Sequence, residues 1–179
     1  MLSNLKYKLL LKQYKNKVYN YSMYMLRNSM DADDVTQEIL IRLWKNLDNF
    51  NLNAAGSYIM RMTHNLCIDY LRRRNISVNR EIEIDNVFEE TYQNTDDVNN
   101  PENIITKENI NKKINEAIDN LPENLKSIFI MYQMQGMKYK EISTVLDIPI
   151  NSVKVYLMRA RIKLQKELKE FKNDVTVKC

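Results

Sequence analysis

The feature that most constrains this chain is its near lack of residues that break helices. Only 2 glycines and 3 prolines occur among 179 residues, whereas average usage would place about 7% and 5% of a chain in these two types. Lys, Leu, Ile, Glu and Met, which helices tolerate or favour, are frequent. The chain is therefore predicted to be almost entirely α-helical.

The charge and cysteine content indicate where the protein is located and how its charge is arranged. The 27 basic and 23 acidic residues nearly balance, at a formal net charge of +4, so the placement of charge matters more than its sum. Cys67 lies in an apolar helical run and Cys179 is the last residue, a pattern that disfavours a structural disulfide and indicates a reducing compartment. No segment has the apolar length of a membrane span or the pattern of a signal peptide. We therefore expect a cytoplasmic protein without a membrane partner.

The N-terminal part contains three segments with helical periodicity. Residues 5–28 carry apolar side chains among lysines, which fits one amphipathic helix or two. The next segment, 31–47, begins with Asp31 as the predicted N-cap. A turn-rich stretch, 48–56, separates it from the third segment, 57–74, which ends in three consecutive arginines.

The C-terminal part has the spacing of a helix-turn-helix motif. Helices are predicted over 104–120, 123–135, 139–146 and 150–170. A short helix, a tight turn at 147–149 and a longer basic helix come last, in the order that defines the motif.

Between the two parts, residues 76–103 are acidic and only weakly periodic, which is typical of a linker. The alternation in EIEID (81–85) leaves a short strand open as an alternative. The predicted fold is all-α, with two small helical domains, 1–75 and 104–179, joined by the acidic linker.

The residues that most enzymes need are scarce. His64 is the single histidine and has no Cys, Asp or Glu at a metal-ligand spacing. Two isolated glycines cannot form a glycine-rich phosphate-binding loop. We therefore expect a binding protein rather than an enzyme, with no catalytic residue, metal or cofactor.

The last predicted helix has an apolar arc and a basic surround. The arc comprises Val153, Leu157, Ala160, Leu164 and Leu168, and the cations are Lys154, Arg159, Arg161, Lys163 and Lys166. A solvated face is the plain interpretation, but the preceding short helix and turn favour a helix that enters the DNA major groove. The candidate DNA contacts are Asn151, Ser152, Lys154, Val155, Tyr156, Met158 and Arg159.

Two further helical faces are candidates for binding. On 57–74, the face opposite Ile59 and Leu66 is predicted to carry Ser57, Arg61, His64, Ile68 and Arg72. Together, Arg61, Asn65, Ile68 and Arg72 form a mixed basic and apolar surface that fits either a nucleic-acid strand or plain solvent. On 31–47 the core side is predicted to comprise Val35, Ile39, Leu40, Leu43 and Leu47, which leaves Asp34, Gln37, Glu38 and Ile41 outward, with Trp44 at the edge. That edge fits either a protein-docking patch or a tryptophan that covers the core.

Taken in order, these segments resemble the extracytoplasmic-function (ECF) group of bacterial RNA polymerase sigma factors. DADDVTQEILIRLWKNL (31–47) is similar to the polymerase-binding segment of that family, and SYIMRMTHNLCIDYLRRR (57–74) is similar to its −10 promoter helix. Residues 121–168 resemble its region 4, which contains the −35-binding helix-turn-helix. The resemblance spans most of the chain outside the linker.

The resemblance implies a role for each surface. The β′ clamp helices of core RNA polymerase would contact Asp34, Gln37, Glu38, Ile41 and Trp44, and the β flap would contact the chain as well. Promoter DNA would contact Arg61, Asn65, Ile68 and Arg72 at the −10 element, with a flipped base in loop 48–56. An anti-sigma factor is a further implied partner. Val155 and Tyr156 stand where the family often has Ser-Arg, which implies a different −35 preference.

One rival function remains open from the sequence. A self-sufficient dimeric helix-turn-helix regulator would use the N-terminal half for dimerisation or sensing. Such a dimer requires two symmetric half-sites about 34 Å apart on DNA, whereas a sigma factor requires two dissimilar elements.

Overall fold

The structure is a computed structural model that describes residues 2–47, 55–80 and 101–177. These residues form seven α-helices: α1 (Leu2–Leu26), α2 (Ser29–Lys45), α3 (Ala55–Arg80), α4 (Pro101–Asp119), α5 (Glu123–Phe129), α6 (Tyr139–Leu146) and α7 (Ile150–Val177). No strand occurs within the described ranges. The all-α prediction is confirmed, and residues 5–26 of the predicted segment 5–28 belong to one helix rather than two.

The start of α2 differs from the sequence-based prediction. Its N-cap is Asn28, whose side-chain oxygen accepts a hydrogen bond of 2.9 Å from the backbone N–H of Asp31. Asp31 therefore lies in the first turn, where its carboxylate favours the positive end of the helix dipole. The prediction of Asp31 as the cap was wrong by one helical turn.

The turns of the C-terminal half follow from two left-handed residues. After α5 a π-helical turn, Ile130–Met134, continues the helix and ends before Gly136, which adopts a φ of 64°. Asp147 ends α6 at φ 55° and ψ 45°, in the left-handed region that Asp tolerates better than most non-glycine residues. The Ser143 hydroxyl donates a hydrogen bond of 2.6 Å to the Ile148 carbonyl and holds this turn.

The larger of two hydrophobic clusters among the described residues joins the two halves of the chain. Tyr21, Met25 and Ile59 from the N-terminal half are buried in the same cluster as Ile130 and Met131. A second cluster lies wholly within the C-terminal half and comprises Ala117, Ile118, Leu121, Leu125, Ala160 and Leu164. The two helical halves therefore pack against each other in this conformation, which the sequence did not predict.

Some predicted features lie outside the described residues. These are loop residues 48–54, most of the acidic segment including the proposed strand at 81–85, and Cys179. At the borders of the predicted linker, α3 continues to Arg80 and α4 begins at Pro101. Among the described helices, none combines the length and the apolar character that a bilayer crossing requires.

Candidate nucleic-acid and protein interfaces

The core-facing stripe of α7 fixes which of its side chains face outward. Val153, Leu157 and Ala160 are at most 1% exposed, and Leu164 is also buried, as the periodicity predicted. The helix lies across α5 and α6 and follows α6 after the Asp147 turn. The arrangement is that of a helix-turn-helix motif whose second helix is held by its apolar stripe.

Most of the predicted −35 contacts on α7 are open to solvent. The exposed ones are Asn151, Lys154, Val155, Met158 and Arg159, and Ser152 is half-buried. Tyr156 differs because its ring is half-buried and packs against both hydrophobic clusters. Its ring therefore serves packing in addition to any role at the surface.

The candidate face of α3 is partly engaged by the other half of the molecule. Arg61 donates hydrogen bonds from Nε to the carbonyl of Val145, at 3.2 Å, and from Nη2 to the carbonyl of Thr144. These carbonyls belong to the last turn of α6, where helix carbonyls lack intrahelical donors and carry partial negative charge. The guanidinium of Arg61 thus caps the first helix of the helix-turn-helix motif.

The other predicted residues of the α3 face are distributed differently. Asn65 and Arg72 are exposed, whereas Ile68 is half-buried and packs against the larger core. The basic and apolar mixture is present, but only its polar members are fully open.

His64 does not belong to the outward face, so this prediction was wrong. Its Nδ1 lies 2.9 Å from the Tyr21 hydroxyl of α1, at hydrogen-bond distance. Burial lowers the pKa of His64 to about 4, so the ring is neutral near pH 7. Burial also raises the pKa of Tyr21. The pair is a neutral hydrogen-bonded contact between α1 and α3.

Cys67 lies beside this contact and is also buried. Its thiol donates to the Ser22 hydroxyl at 3.6 Å, and burial raises its pKa to about 12. A thiol in this state is a poor nucleophile and a poor metal ligand. Among the described residues, no group of three side chains is arranged to hold a metal ion.

The outward face of α2 is an open patch with an aromatic edge. Ile41 is 48% exposed and Trp44 is 53% exposed, while the Trp44 ring packs edge-to-face on Tyr7 with centroids 5.0 Å apart. Asp34 and Gln37 are exposed, and Glu38 accepts a hydrogen bond of 2.7 Å from Nε of Arg42. The Trp44 ring covers Tyr7, which packs against the core, and it also remains accessible. The interpretation of this patch as a protein-docking site stays a prediction.

One arginine at the end of α3 has a structural role. Arg74 donates to the Asp31 carboxylate at 2.5 Å and to the Leu26 carbonyl at 3.1 Å, which ties α3 to the junction of α1 and α2.

Two polar contacts between the halves were missed in the sequence. Arg27, at φ 52°, donates from Nε to the Asp119 carboxylate at 2.9 Å. Lys126 pairs with the same carboxylate oxygen at 2.7 Å and reaches the Met25 carbonyl at 3.5 Å. No local pattern marks these contacts between the halves, because Asp119 lies 92 positions from Arg27 and Met25 lies 101 positions from Lys126.

Comparison with known proteins identifies the family. Residues 10–76 match Sigma-70 region 2, and residues 111–164 match Sigma-70 region 4. The ECF RNA polymerase sigma-E factor of Escherichia coli K12 is 30% identical over 161 residues, which cover 87% of this chain and 82% of that protein. The chain belongs to the ECF RNA polymerase sigma factors.

A second curated relative has the same span. The sigma factor is 29% identical to ECF RNA polymerase sigma factor SigW of Bacillus subtilis strain 168 over 160 residues, which cover 88% of this chain and 86% of that protein. Family membership thus decides between a sigma factor and the dimeric regulator in favour of the first.

Solved structures show that the fold is shared. One neighbour is the sigma factor RpoE of Bartonella quintana, crystallised with the anti-sigma factor NepR; its TM-score is 0.69 at 19% identity, over 90% of this chain and 96% of that chain. Another is CnrH in complex with the cytosolic domain of CnrY, with a TM-score of 0.65 at 17% identity, over 92% of this chain and 88% of that chain. At these identities the likeness concerns the fold of the sigma factor.

Proposed function

We propose that this sigma factor acts through three separate surfaces, one for core RNA polymerase and two for promoter DNA. The single observation that carries the proposal is the order of its parts. A region 2 match at 10–76 precedes a region 4 match at 111–164, and each part has an outward face with charged residues.

The polymerase surface is the outward face of α2. Asp34, Gln37, Glu38, Ile41 and Trp44 would bind the β′ clamp helices. Exposed Ile41 and Trp44 form an apolar centre within a charged rim, which is the composition of an energetic hot spot at a protein interface. The β flap is assigned to the C-terminal half.

The −10 surface is the outward face of α3, with Arg61, Asn65, Ile68 and Arg72. Cations and planar groups on such a face bind a displaced single strand. Binding of the extruded strand can offset an unstacking cost of a few kcal/mol, so duplex opening requires no ATP and no catalytic residue of this chain. Because Arg61 is bonded to α6, its contact with DNA requires the two halves to separate.

The −35 surface is the N-terminal part of α7, where Asn151, Ser152, Lys154, Val155, Tyr156, Met158 and Arg159 face the groove or its backbones. Lysine and arginine fix the position on the duplex through phosphates, while Asn and Arg can also bind base edges. Arg159 is the residue of this set whose fork geometry suits a guanine.

We also propose a class of regulatory partner and a cellular location for this sigma factor. One solved neighbour is in complex with the anti-sigma factor NepR and the other with the cytosolic domain of CnrY, and we extend an anti-sigma factor as a partner class to this chain. We place the protein in the cytoplasm, where RNA polymerase acts, and assign it no enzymatic activity.

The test is reconstitution with core RNA polymerase from the source organism. We expect the chain to co-elute with the core enzyme and to direct discrete run-off transcripts from fragmented genomic DNA. Ile41→Gln should weaken core binding by about tenfold or more, as expected for a hot spot. The matched control is Met30→Gln, because Met30 is 77% exposed on the same helix but lies outside the proposed patch. Equal binding by both variants, or no binding by the wild type, would contradict the assignment.

A further inference from the structure

The outward face of α7 carries an apolar stripe that the helix does not need for its own packing. Val155 is 40% exposed, Met158 is 55% exposed and Ile162 is 57% exposed. Their spacing of three and four residues puts them on one face, opposite the buried stripe that includes Val153 and Leu157. An ordinary solvent-facing helix side carries polar residues at such positions.

Exposed cations frame this stripe on both sides. Lys154 lies on one side, and Arg159 and Lys163 lie on the other, all exposed. Arg161 is also exposed, but its guanidinium stacks over the Tyr132 ring at 5.2 Å from the centroid. The surface therefore has an apolar centre between two rows of positive charge.

The DNA major groove has the complementary arrangement. Its walls are rows of phosphates, which attract lysine and arginine. Its floor carries one apolar group, the C5-methyl of thymine, which apolar side chains contact. An apolar stripe between cations fits a groove floor that carries thymine methyl groups.

Position along the helix selects the two side chains that reach the bases. In helix-turn-helix proteins the N-terminal residues of the second helix contact base edges. Val155 and Met158 lie in the first turns of α7, which begins at Ile150. Ile162 lies about 10 Å farther along the axis than Val155, at 1.5 Å per residue, and so toward the rim of the groove.

We propose that Val155 and Met158 are specificity residues that recognise thymine methyl groups in the −35 element. The inference rests on the proposed binding of α7 to that element. It assigns thymine, on either strand, to the base pairs under these two side chains. It also means that Val155 contacts a methyl group, which a polar residue at this position would not do.

The experiment removes single methyl groups from the DNA. Once run-off transcription has located a promoter, each thymine of its −35 element is replaced in turn by deoxyuridine, and equilibrium binding of the holoenzyme is measured. Loss of one buried methyl contact should weaken binding roughly threefold to fivefold. Deoxyuridine outside the two promoter elements should have no effect.

Variants connect the effect to the two side chains. Val155→Ser and Met158→Gln should each bind the thymine promoter threefold to fivefold more weakly and should no longer distinguish thymine from deoxyuridine at one position. Ile110→Gln is the matched control, because Ile110 is 45% exposed on α4 and outside the stripe. This control should retain the wild-type preference.

The outcomes separate this inference from the proposed function. Equal binding of thymine and deoxyuridine at every −35 position, or a −35 element without thymine under α7, would overturn the inference while leaving the sigma function intact. If the variants instead weakened binding to core polymerase, the stripe would be a protein-docking surface and the inference would be wrong. A holoenzyme that recognises no promoter would overturn the proposed function itself.

Discussion

The outward faces of α3 and α7 are both basic, but the α3 face is partly engaged by the opposite half in this conformation, whereas the α7 face is open. On α7, Lys154, Val155 and Arg159 are exposed. On α3, Arg61 is held by the carbonyls of Val145 and Thr144 in the opposite half. The difference teaches that one proposed DNA-binding surface could act while the halves are packed, whereas DNA binding at the other would compete with that packing.

The contrast has a simple electrostatic origin. The C-terminal end of α6 presents carbonyl oxygens with partial negative charge, and a phosphate presents full negative charge. Both are suitable acceptors for the same guanidinium. The proposed binding of polymerase to the outward face of α2 would not meet this competition, because Ile41 and Trp44 are already accessible.

The largest effect on stability is expected from truncating a buried side chain in the core that the two halves share. Ile130→Ala should lower the free energy of unfolding by about 2–5 kcal/mol, since Ile130 is fully buried in the cluster that joins the halves. Trp44 is the single tryptophan and lies in the N-terminal half. Its fluorescence during urea unfolding should therefore show a lower midpoint, although the substitution is in the C-terminal half.

Leu164→Ala is the matched control for this experiment. Leu164 belongs to the cluster confined to the C-terminal half, so the Trp44 transition should shift less than in Ile130→Ala. A Trp44 transition that is indifferent to Ile130→Ala would show that the halves do not share a core in solution.

An intermediate effect is expected from acid, and it should arise in the α1–α3 contact. The pKa of His64 is lowered from 6.5 to about 4 in the folded chain, so between these values the unfolded chain binds more protons than the folded one. The contribution of His64 to the free energy of unfolding should therefore be constant above pH 6.5 and should fall as the pH decreases toward 4. The loss is up to about 3 kcal/mol, measured by Trp44 fluorescence in urea.

The assignment to His64 can be checked directly, because it is the only histidine. His64→Gln retains a polar partner for Tyr21 and removes the titration, so the slope between pH 6.5 and 4 should flatten. An identical slope in the wild type and this variant would assign the acid sensitivity to carboxylates instead.

The smallest effects should separate the two roles of Arg61. Arg61→Ala is expected to weaken the packing between the two halves. It should also weaken holoenzyme binding to a single-stranded −10 oligonucleotide by about fivefold or more, since a charge-assisted contact is lost. Arg27→Asn should loosen the halves only, at a cost below about 1 kcal/mol. Asn tolerates the left-handed backbone of position 27, so backbone strain does not confuse the comparison.

Hydrogen exchange of the α6 amides reports loosening, and oligonucleotide binding reports the DNA contact. Faster exchange in both variants with weaker binding in Arg61→Ala alone would support the two roles. If Arg27→Asn lost as much oligonucleotide affinity as Arg61→Ala, the effect would come from domain packing and not from a contact with the strand.

Features set by neighbouring residues were predictable from the sequence. The buried stripe of α7 follows from a 3.6-residue period, and the left-handed turn at Asp147 follows from the steric tolerance of its side chain. The exposed patch at Ile41 and Trp44 also followed from periodicity on α2, because its opposite side is apolar.

Features set by distant residues were not predictable. His64 falls at an outward-looking position on a helical wheel, yet its partner Tyr21 lies 43 residues away. The partners of Arg61 lie 83 and 84 residues away. The π-helical turn at 130–134 has no glycine or proline to mark it. Each of these depends on how the helices pack, and local patterns in the sequence do not reveal that packing.

The cap that Arg61 places on α6 has a consequence for measured affinities. If Arg61 binds the −10 strand as proposed, the strand would bind it only in the fraction of molecules whose halves are apart, and the apparent dissociation constant would equal the intrinsic one divided by that fraction. If packed molecules outnumbered separated ones by about ten to one, the apparent affinity would fall about tenfold. By reciprocity, a strand bound at Arg61 shifts the population toward separated halves by the same factor.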